Sequence, residues 1–365
     1  PPPTAKIARI VLNDAEQIME NELRREYRPK LYEREYIERA DSLVKTVDYV
    51  NALKMVDVTA TFRDAGHIFG SAFIEIEEKG GARVVFSGDL GNVNVPILRT
   101  TERFSKCDLA ILESTYGNRL HESEAARHTK LRDIIIKTIK QNGLLIIPAF
   151  SIERTQELLY ELNDLIEHKD LPRVDIYLDS PMAMEVSEVI QAYPEYYAQE
   201  ARQHLFHGDD PFTFPGLHLT RSREDSKMIN SAPRPKVIIA GAGMMNGGRI
   251  QHHLVRYLSD PRSTLLIIGF QASGTLGRRL YSGDKRVEVL GEKVVVKAAI
   301  KSIGAYSAHA DQAKLFDWIG GQGSPPHRVY CTHGEEEASA ALATQIKERL
   351  DVEAHAPRFG ETLQV

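Results

Sequence analysis

The 365 residues are 42% hydrophobic, 27% charged and 7% aromatic, with 25 Gly and 17 Pro, which excludes collagen-like, coiled-coil and globally disordered classes. Lys and Arg number 46 against 51 Asp and Glu, a net charge of −5, so a polyanion would have to be held by a local basic patch. The two cysteines, Cys107 and Cys331, are too few for a disulfide framework and fit a reducing, cytoplasmic setting, and no apolar run approaches the roughly 20 residues that cross a bilayer, so no membrane partner is expected.

In chain order, Ile7, Ile10, Val11, Ile18, Met19 and Leu23 recur near a 3.6-residue period and predict a helix, and the highly charged stretch 24–45 predicts a helical excursion on the surface. Val56, Val58, Ala60 and Phe62 then alternate with polar residues, as do Ala72, Ile74 and Ile76, before Val84–Phe86. These predict antiparallel strands, the last pair joined by a hairpin through Lys79-Gly80-Gly81, and Leu109–Leu112 reads as a buried strand. Beyond residue 121 the rhythm becomes strand–helix: helices over 122–141, 153–167, 181–192, 249–258 and 275–281 alternate with strands over 144–148, 174–178, 237–240 and 264–269. Strands that are apolar throughout, between amphipathic helices, predict a mainly parallel sheet covered on both faces. The segment 205–235, with Pro211, Phe212, Phe214 and Pro215, shows no period and is expected to be a long loop of the lid or binding kind, with disorder as the competing reading. A strand over 293–300, a helix over 311–319, a strand over 328–332 and a helix over 336–350 close the chain. The fold class is α/β, and a parallel block between two segments of different texture is the layout an inserted domain produces.

Four loops place a ligand-type side chain among small residues beside a strand: Asp64–Ser71 with His67, Phe86–Gly91 with Asp89, Tyr306–Asp311 with His309, and Tyr330–Glu335 with His333. Neutral imidazole and carboxylate suit zinc, and small neighbours let the backbone approach an ion closely. Singly, a strand-end histidine is most often a hydrogen-bonded structural residue, and the Asp of Gly-Asp-Leu-Gly a turn or cap residue. Together, four such loops from both ends of one chain point to metal or catalytic work. Glu113 closes an apolar strand in Leu112-Glu113-Ser114-Thr115-Tyr116-Gly117, either as an ordinary strand-end acid or as one that orients a histidine. The remaining histidines carry no turn context and are assigned to surface or core. Two glycine-rich turns, Gly241–Gly248 and Gln271–Arg279, each follow a strand and open a helix, where backbone N–H groups favour phosphate. Tight helix–sheet packing is the competing reading. Asn246 stands where a dinucleotide fingerprint needs its third glycine, and neither a Walker A motif nor a nucleophile elbow occurs.

Gly66-His67-Ile68-Phe69-Gly70-Ser71-Ala72, Ser87-Gly88-Asp89-Leu90-Gly91, Leu112–Gly117, Ile147–Glu157, Leu178-Asp179-Ser180-Pro181-Met182-Ala183, Ser307–Asp311 and Thr332–Glu335, in this order, resemble the metallo-β-lactamase-fold ribonucleases with a β-CASP insertion, of the short bacterial RNA-metabolising type. The resemblance covers essentially the whole chain. It implies a metallo-β-lactamase αββα sandwich in two parts, 1–120 and 304–365, flanking a β-CASP domain over 121–303. It also implies a two-zinc ribonuclease of RNA processing or decay, endonucleolytic and/or 5′→3′ exonucleolytic, with RNA in a cleft between the domains. By motif position His67 and His333 look like ligands of separate zincs and Asp89 like the carboxylate bridging them. Glu113 resembles the acid that orients His309, and His309 the general acid at the leaving oxygen. Ser180, Gly243, Gly247, Gly248, Arg249, Ser273, Gly274 and Arg278 are the candidate substrate contacts on the inserted domain. A homodimer is the candidate assembly.

The family's HxHxDH ligand motif is absent from this sequence, so each zinc would keep at most two protein ligands, counting Asp89 for both, against the usual three or four. With a start in Pro1-Pro2-Pro3 ahead of a helix, the expectation is the C-terminal part of a longer protein, holding little zinc and nearly inactive alone. The alternative function is a catalytically silent β-CASP scaffold that binds RNA or a partner nuclease. A hydrolase of small thioesters or lactams is disfavoured by the phosphate-type turns, and DNA stays open as a substrate because a phosphate cleft does not read the 2′-hydroxyl.

Overall fold

The computed structural model describes residues 1–362 apart from 28, 94, 123, 207–209 and 322–324. The chain divides into two compact units, the first made of residues 1–120, 193–198 and 308–365, the second of 121–192 and 199–307. The first unit opens with α1 (Pro2–Glu26), α2 (Arg34–Leu43), β1 (Ala52–Lys54), β2 (Val58–Asp64), β3 (Ala72–Glu78), β4 (Arg83–Phe86) and β5 (Leu109–Glu113). The second carries α3 (Glu124–Lys140), β6 (Leu144–Pro148), α4 (Arg154–Glu167), β7 (Asp175–Asp179), α5 (Pro181–Gln191), α6 (Gln199–Phe206), β8 (Leu217–Leu219), α7 (Arg223–Met228) and β9 (Lys236–Ala240). It continues with α8 (Ile250–Tyr257), β10 (Ser263–Ile267), α9 (Leu276–Tyr281), β11 (Arg286–Val289), β12 (Glu292–Val295) and β13 (Ala299–Ser302). The first unit then resumes with α10 (Gln312–Gly320), β14 (Arg328–Thr332), α11 (Glu336–Leu350) and β15 (Glu353–His355).

The first unit is built on one seven-stranded sheet in the order β1-β2-β3-β4-β5-β14-β15. Strands β1 to β4 pair antiparallel, whereas β4, β5, β14 and β15 pair parallel. The register sets Asp64 opposite Ala72, Phe86 opposite Ile111 and Glu113 opposite Thr332, so the loops after β2, β4, β5 and β14 leave the sheet at one edge. Under the sheet, Trp318 of α10 packs edge-on to Phe73 and Phe104, with ring centroids 5.3 and 4.7 Å away, and its indole N–H donates to Glu102 O. Leu342 and Ile346 of α11 complete this core with Val85, Leu112 and Val329. Burial of each such side chain is worth about 1.5–3 kcal/mol, which holds the loop-bearing edge rigid. Cys107 and Cys331 are buried thiols of the same unit, and burial pushes each up to about 12.

The second unit is a six-stranded parallel sheet in the order β13-β10-β6-β9-β7-β8, with β11 and β12 as a separate antiparallel hairpin. Strands β6 and β9 are buried at every position, which is why their sequences do not alternate. Two expectations need correction. The run 293–300 is not one strand: β12 turns back along β11, and the chain re-enters the parallel sheet as β13 after Lys297 and Ala298 donate to Leu258 O. The segment 205–235 is not a structureless loop, since β8 adds to the sheet beside β7 and α7 opens with a capping box between Ser222 and Asp225; His207 lies outside the described residues. Among the described residues no helix is long and apolar enough to cross a membrane.

Candidate metal centre

Strand β2 ends in a loop that folds on its own polar groups. The Gly66 N–H donates to Asp64 Oδ1 at 2.9 Å, while the Ser71 hydroxyl accepts the N–H groups of His67 and Ile68 at 3.1 and 3.2 Å. This turn fixes the backbone at His67. Asp64 is buried at its base, and burial pushes its carboxyl up to about 7 against the pull of the Gly66 N–H. The loop after β4 closes against it: the Gly91 N–H donates to Ala65 O at 2.8 Å, and a Cβ on Gly91 would fall 1.8 Å from Gly66 O, so only glycine fits there.

That contact brings Asp89 between two imidazoles. His67 Nε2 lies 3.6 Å from Asp89 Oδ2, and His333 Nε2 lies 3.2 Å from Oδ1 on the other side. His333 follows β14 with a left-handed backbone (φ 53°), and Thr115 Oγ1 donates to its carbonyl at 2.9 Å. Ser114 Oγ donates to Thr332 O at 2.7 Å, so the Glu113-Ser114-Thr115 turn clamps the His333 loop directly. Glu113 is 1% exposed at the end of β5. Its Oε1 accepts the Leu90 N–H at 2.6 Å and its Oε2 lies 3.1 Å from His309 Nδ1. His309 bridges Gly91 across the backbone and its ring sits 4.5 Å from that of His67 and 5.9 Å from that of His333. One ligand atom each from His67, Asp89 and His309 lie within 4.8 Å of one another. Two or three imidazoles around one carboxylate, with a buried acid behind one of them, is a donor set that suits zinc.

The residues expected to act at the metal thus meet in the first unit. Missing from the sequence reading were the hydroxyls of Ser71, Ser87 and Ser114, which tie these loops together; each is a small residue inside a quoted motif, and that was the available signal. Tyr193–Ala198 was missed as well. This segment belongs to the first unit, where Ala198 N–H donates to Ile97 O at 2.9 Å and the Tyr197 ring meets Phe69 edge-on at 5.6 Å, bracing the His67 loop.

The expected substrate contacts lie in the second unit, at the carboxyl ends of its strands. Ser180 caps α5 and pairs with Ser151 Oγ at 3.0 Å. Gly243, Gly247 and Gly248 follow β9; Ser273 and Gly274 are exposed ahead of α9, and the Arg278 guanidinium lies 5.8 Å over the Phe270 ring. Arg249 is otherwise engaged: its guanidinium donates to Asp179 Oδ1, Thr220 O and Arg221 O at 2.7 to 2.9 Å, which gives it a structural partner where the sequence suggested phosphate. Asp179 also accepts from His253 Nε2, Thr220 Oγ1 and Ser226 Oγ, each at 2.7 Å. Burial pushes its pKa up, but these hydrogen bonds, His253 first, outweigh it and bring it to about 2.

A Beta-Casp domain model matches residues 155–280, and a model described as a Zn-dependent metallo-hydrolase RNA specificity domain matches residues 293–357. Ribonuclease TTHA0252 of Thermus thermophilus is 37% identical over 362 residues, covering 99% of this chain and 80% of that protein. The chain belongs to the β-CASP ribonucleases of the metallo-β-lactamase fold. Its family also includes archaeal relatives: the transcription termination factors FttA of Methanosarcina mazei and Pyrococcus abyssi are 32% and 30% identical over 85% of the chain, which spans about half of their length (50% and 49%). Within this β-CASP chain, the first family model falls in the second unit apart from residues 193–198, and the other runs from within β12 through β15.

Proposed function

We propose that the protein is a zinc-dependent hydrolase of RNA phosphodiester bonds, endonucleolytic and/or 5′→3′ exonucleolytic, with His67, Asp89 and His333 as zinc ligands and the Glu113–His309 pair as its acid. The observation that carries this reading is Asp89, with an imidazole facing each of its oxygens, beside a histidine held by a buried carboxylate. When bound, zinc supplies positive charge for the phosphate oxygens and lowers the pKa of water. Glu113 accepts the His309 Nδ1–H, fixes the ring orientation and stabilises its protonated form. His309 then holds its transferable proton at Nε2, where it is donated to the departing 3′ oxygen. A silent scaffold has no chemical reason to keep these groups converged, so their convergence supports the enzyme. The printed name of the Thermus relative supports RNA as the substrate.

With His309 reserved as acid, each oxygen of Asp89 faces one imidazole, fewer donors than the three or four of stable zinc sites, so weak zinc binding and slow turnover are expected of this chain by itself. A second reading is favoured by the grouping of His67, Asp89 and His309 within 4.8 Å, which makes His309 a ligand instead. Zinc affinity by chelator competition, with hydrolysis of a labelled RNA followed in parallel, separates the two. His309→Ala is expected to abolish hydrolysis and leave zinc affinity within about twofold, whereas Asp89→Asn is expected to weaken zinc by about tenfold or more. Zinc lost from His309→Ala would give that residue to the metal. A wild-type chain that binds no zinc and cleaves no RNA would favour the scaffold.

A further inference from the structure

Strands β10, β6 and β9 lie side by side in the parallel sheet. From β6 the chain builds β7, β8 and β9 on one side, then crosses to lay down β10 and β13 on the other. Ligands of open α/β sheets bind at such a reversal, outside the carboxyl ends of the strands. Phe150 stands there, just past the end of β6. Between Gly143 and Leu159 it is the one exposed residue, at 38%, in a run otherwise buried or half-buried.

Its neighbours shape a slot. A Cβ on Gly243, in the turn after β9, would fall 2.6 Å from Phe150 Cδ2, and one on Gly269, after β10, 3.9 Å from Cε2. The ring is therefore flanked by bare backbone. Thr155 holds the Phe150 carbonyl through its N–H at 3.1 Å and its hydroxyl at 2.8 Å. Gln271 Nε2 donates to Gly243 O at 3.2 Å and reaches Gly269 O at 3.5 Å, so the two glycine turns are tied to each other.

We propose that Phe150 is a stacking platform for an unpaired nucleobase of single-stranded RNA. Every base offers a π-face to an exposed ring, and an aromatic in an open position among backbone groups is how single strands are gripped without a base code. A protein partner would ask for a contiguous apolar patch, whereas what borders the Phe150 ring at Gly243 and Gly269 is backbone. This rests on RNA as the substrate and adds how the strand is held.

The test is binding of a fluorescent single-stranded oligoribonucleotide, and of the same backbone with abasic riboses, to the whole chain. Wild type is expected to prefer the base-bearing strand, and Phe150→Ala to weaken that strand roughly tenfold or more while leaving the abasic one unchanged. Phe150→Tyr should keep wild-type affinity, and Phe150→Leu, which retains volume without a π-face, should behave as the alanine variant. Matching far-ultraviolet circular dichroism and melting temperature establish that the variants fold. Adenosine monophosphate should compete only at far higher concentration than the strand; competition at equal concentration would reassign the site to a free mononucleotide and overturn the proposal. Equal wild-type binding of base-bearing and abasic strands would overturn the stacking and leave RNA as the substrate. Failure to bind either strand would overturn both.

Discussion

Asp64 is a carboxyl placed where burial opposes its charge. It is buried at the base of the His67 loop, its carboxyl pushed up to about 7, so the folded chain holds a proton that the unfolded chain sheds near pH 4. Its contribution to stability is complete below about pH 4 and is lost as pH rises towards 7, a change on the order of a few kcal/mol. Asp64→Asn retains the side-chain oxygen that accepts the Gly66 N–H and removes the titration. We expect Asn to raise the urea midpoint relative to wild type at pH 8 and to make little difference at pH 4. Equal differences at the two pH values would contradict the burial argument. Nothing in Arg63-Asp64-Ala65 marks this carboxyl as buried, because burial follows from the pairing of β2 with β3. His67, Asp89, Glu113, His309 and His333 were legible for the opposite reason: their chemistry lies in residue type and in the small neighbours that let backbones meet. Arg249 misled because an arginine opening a helix reads the same whether it faces phosphate or a buried aspartate.

Among elements, long ones with a clear period were legible and short ones were not. The parallel strands announced themselves as unbroken apolar runs. Strand β8 and helix α7 are too short to show a period, and only the Ser222-x-x-Asp225 capping box could have flagged the helix. They are held in place by a polar node: Asp179, at the end of β7, takes Thr220 after β8, Ser226 of α7, and Arg249 and His253 at the start of and within α8. Removing the carboxylate leaves a half-buried arginine and a buried histidine without their acceptor. Asp179→Ala is therefore expected to destabilise the chain by about 3–5 kcal/mol, the usual cost of breaking one side of a buried pair. Thr220→Val and Ser226→Ala, each removing one hydrogen bond, should cost about 1 kcal/mol apiece. Urea denaturation of the three variants measures this, and an Asp179→Ala loss no greater than those of the single-hydroxyl variants would show that the node is not what holds β8 and α7.

For the whole molecule, the convergence of the metal-site residues depends on a pairing that the sequence does not display. Strand β14 lies beside β5 across more than two hundred residues of intervening chain, and that register sets Glu113 beside Thr332, hence His333 beside Asp89. Motif order suggested that the outer segments fold together; which strands adjoin is a long-range choice made by the core around Trp318 and Val329. The second unit needs no such closure. Its parallel sheet and its buried cluster of Leu144, Ile238, Leu254, Leu265, Leu280 and Val294 are contained within residues 121–307. A fragment of 121–307 is therefore expected to fold alone, with an α/β circular-dichroism spectrum and one cooperative melting transition. Within it, 193–198 would lose its partners in the first unit, the Ile97 carbonyl and the Phe69 ring among them, and become the preferred site of limited proteolysis. Having none of His67, Asp89, His309 and His333, the fragment should take up no more zinc than background. A fragment that melts without cooperativity would show that this unit depends on the first for its fold, and one that resists cleavage at 193–198 would show that this segment holds without its first-unit partners.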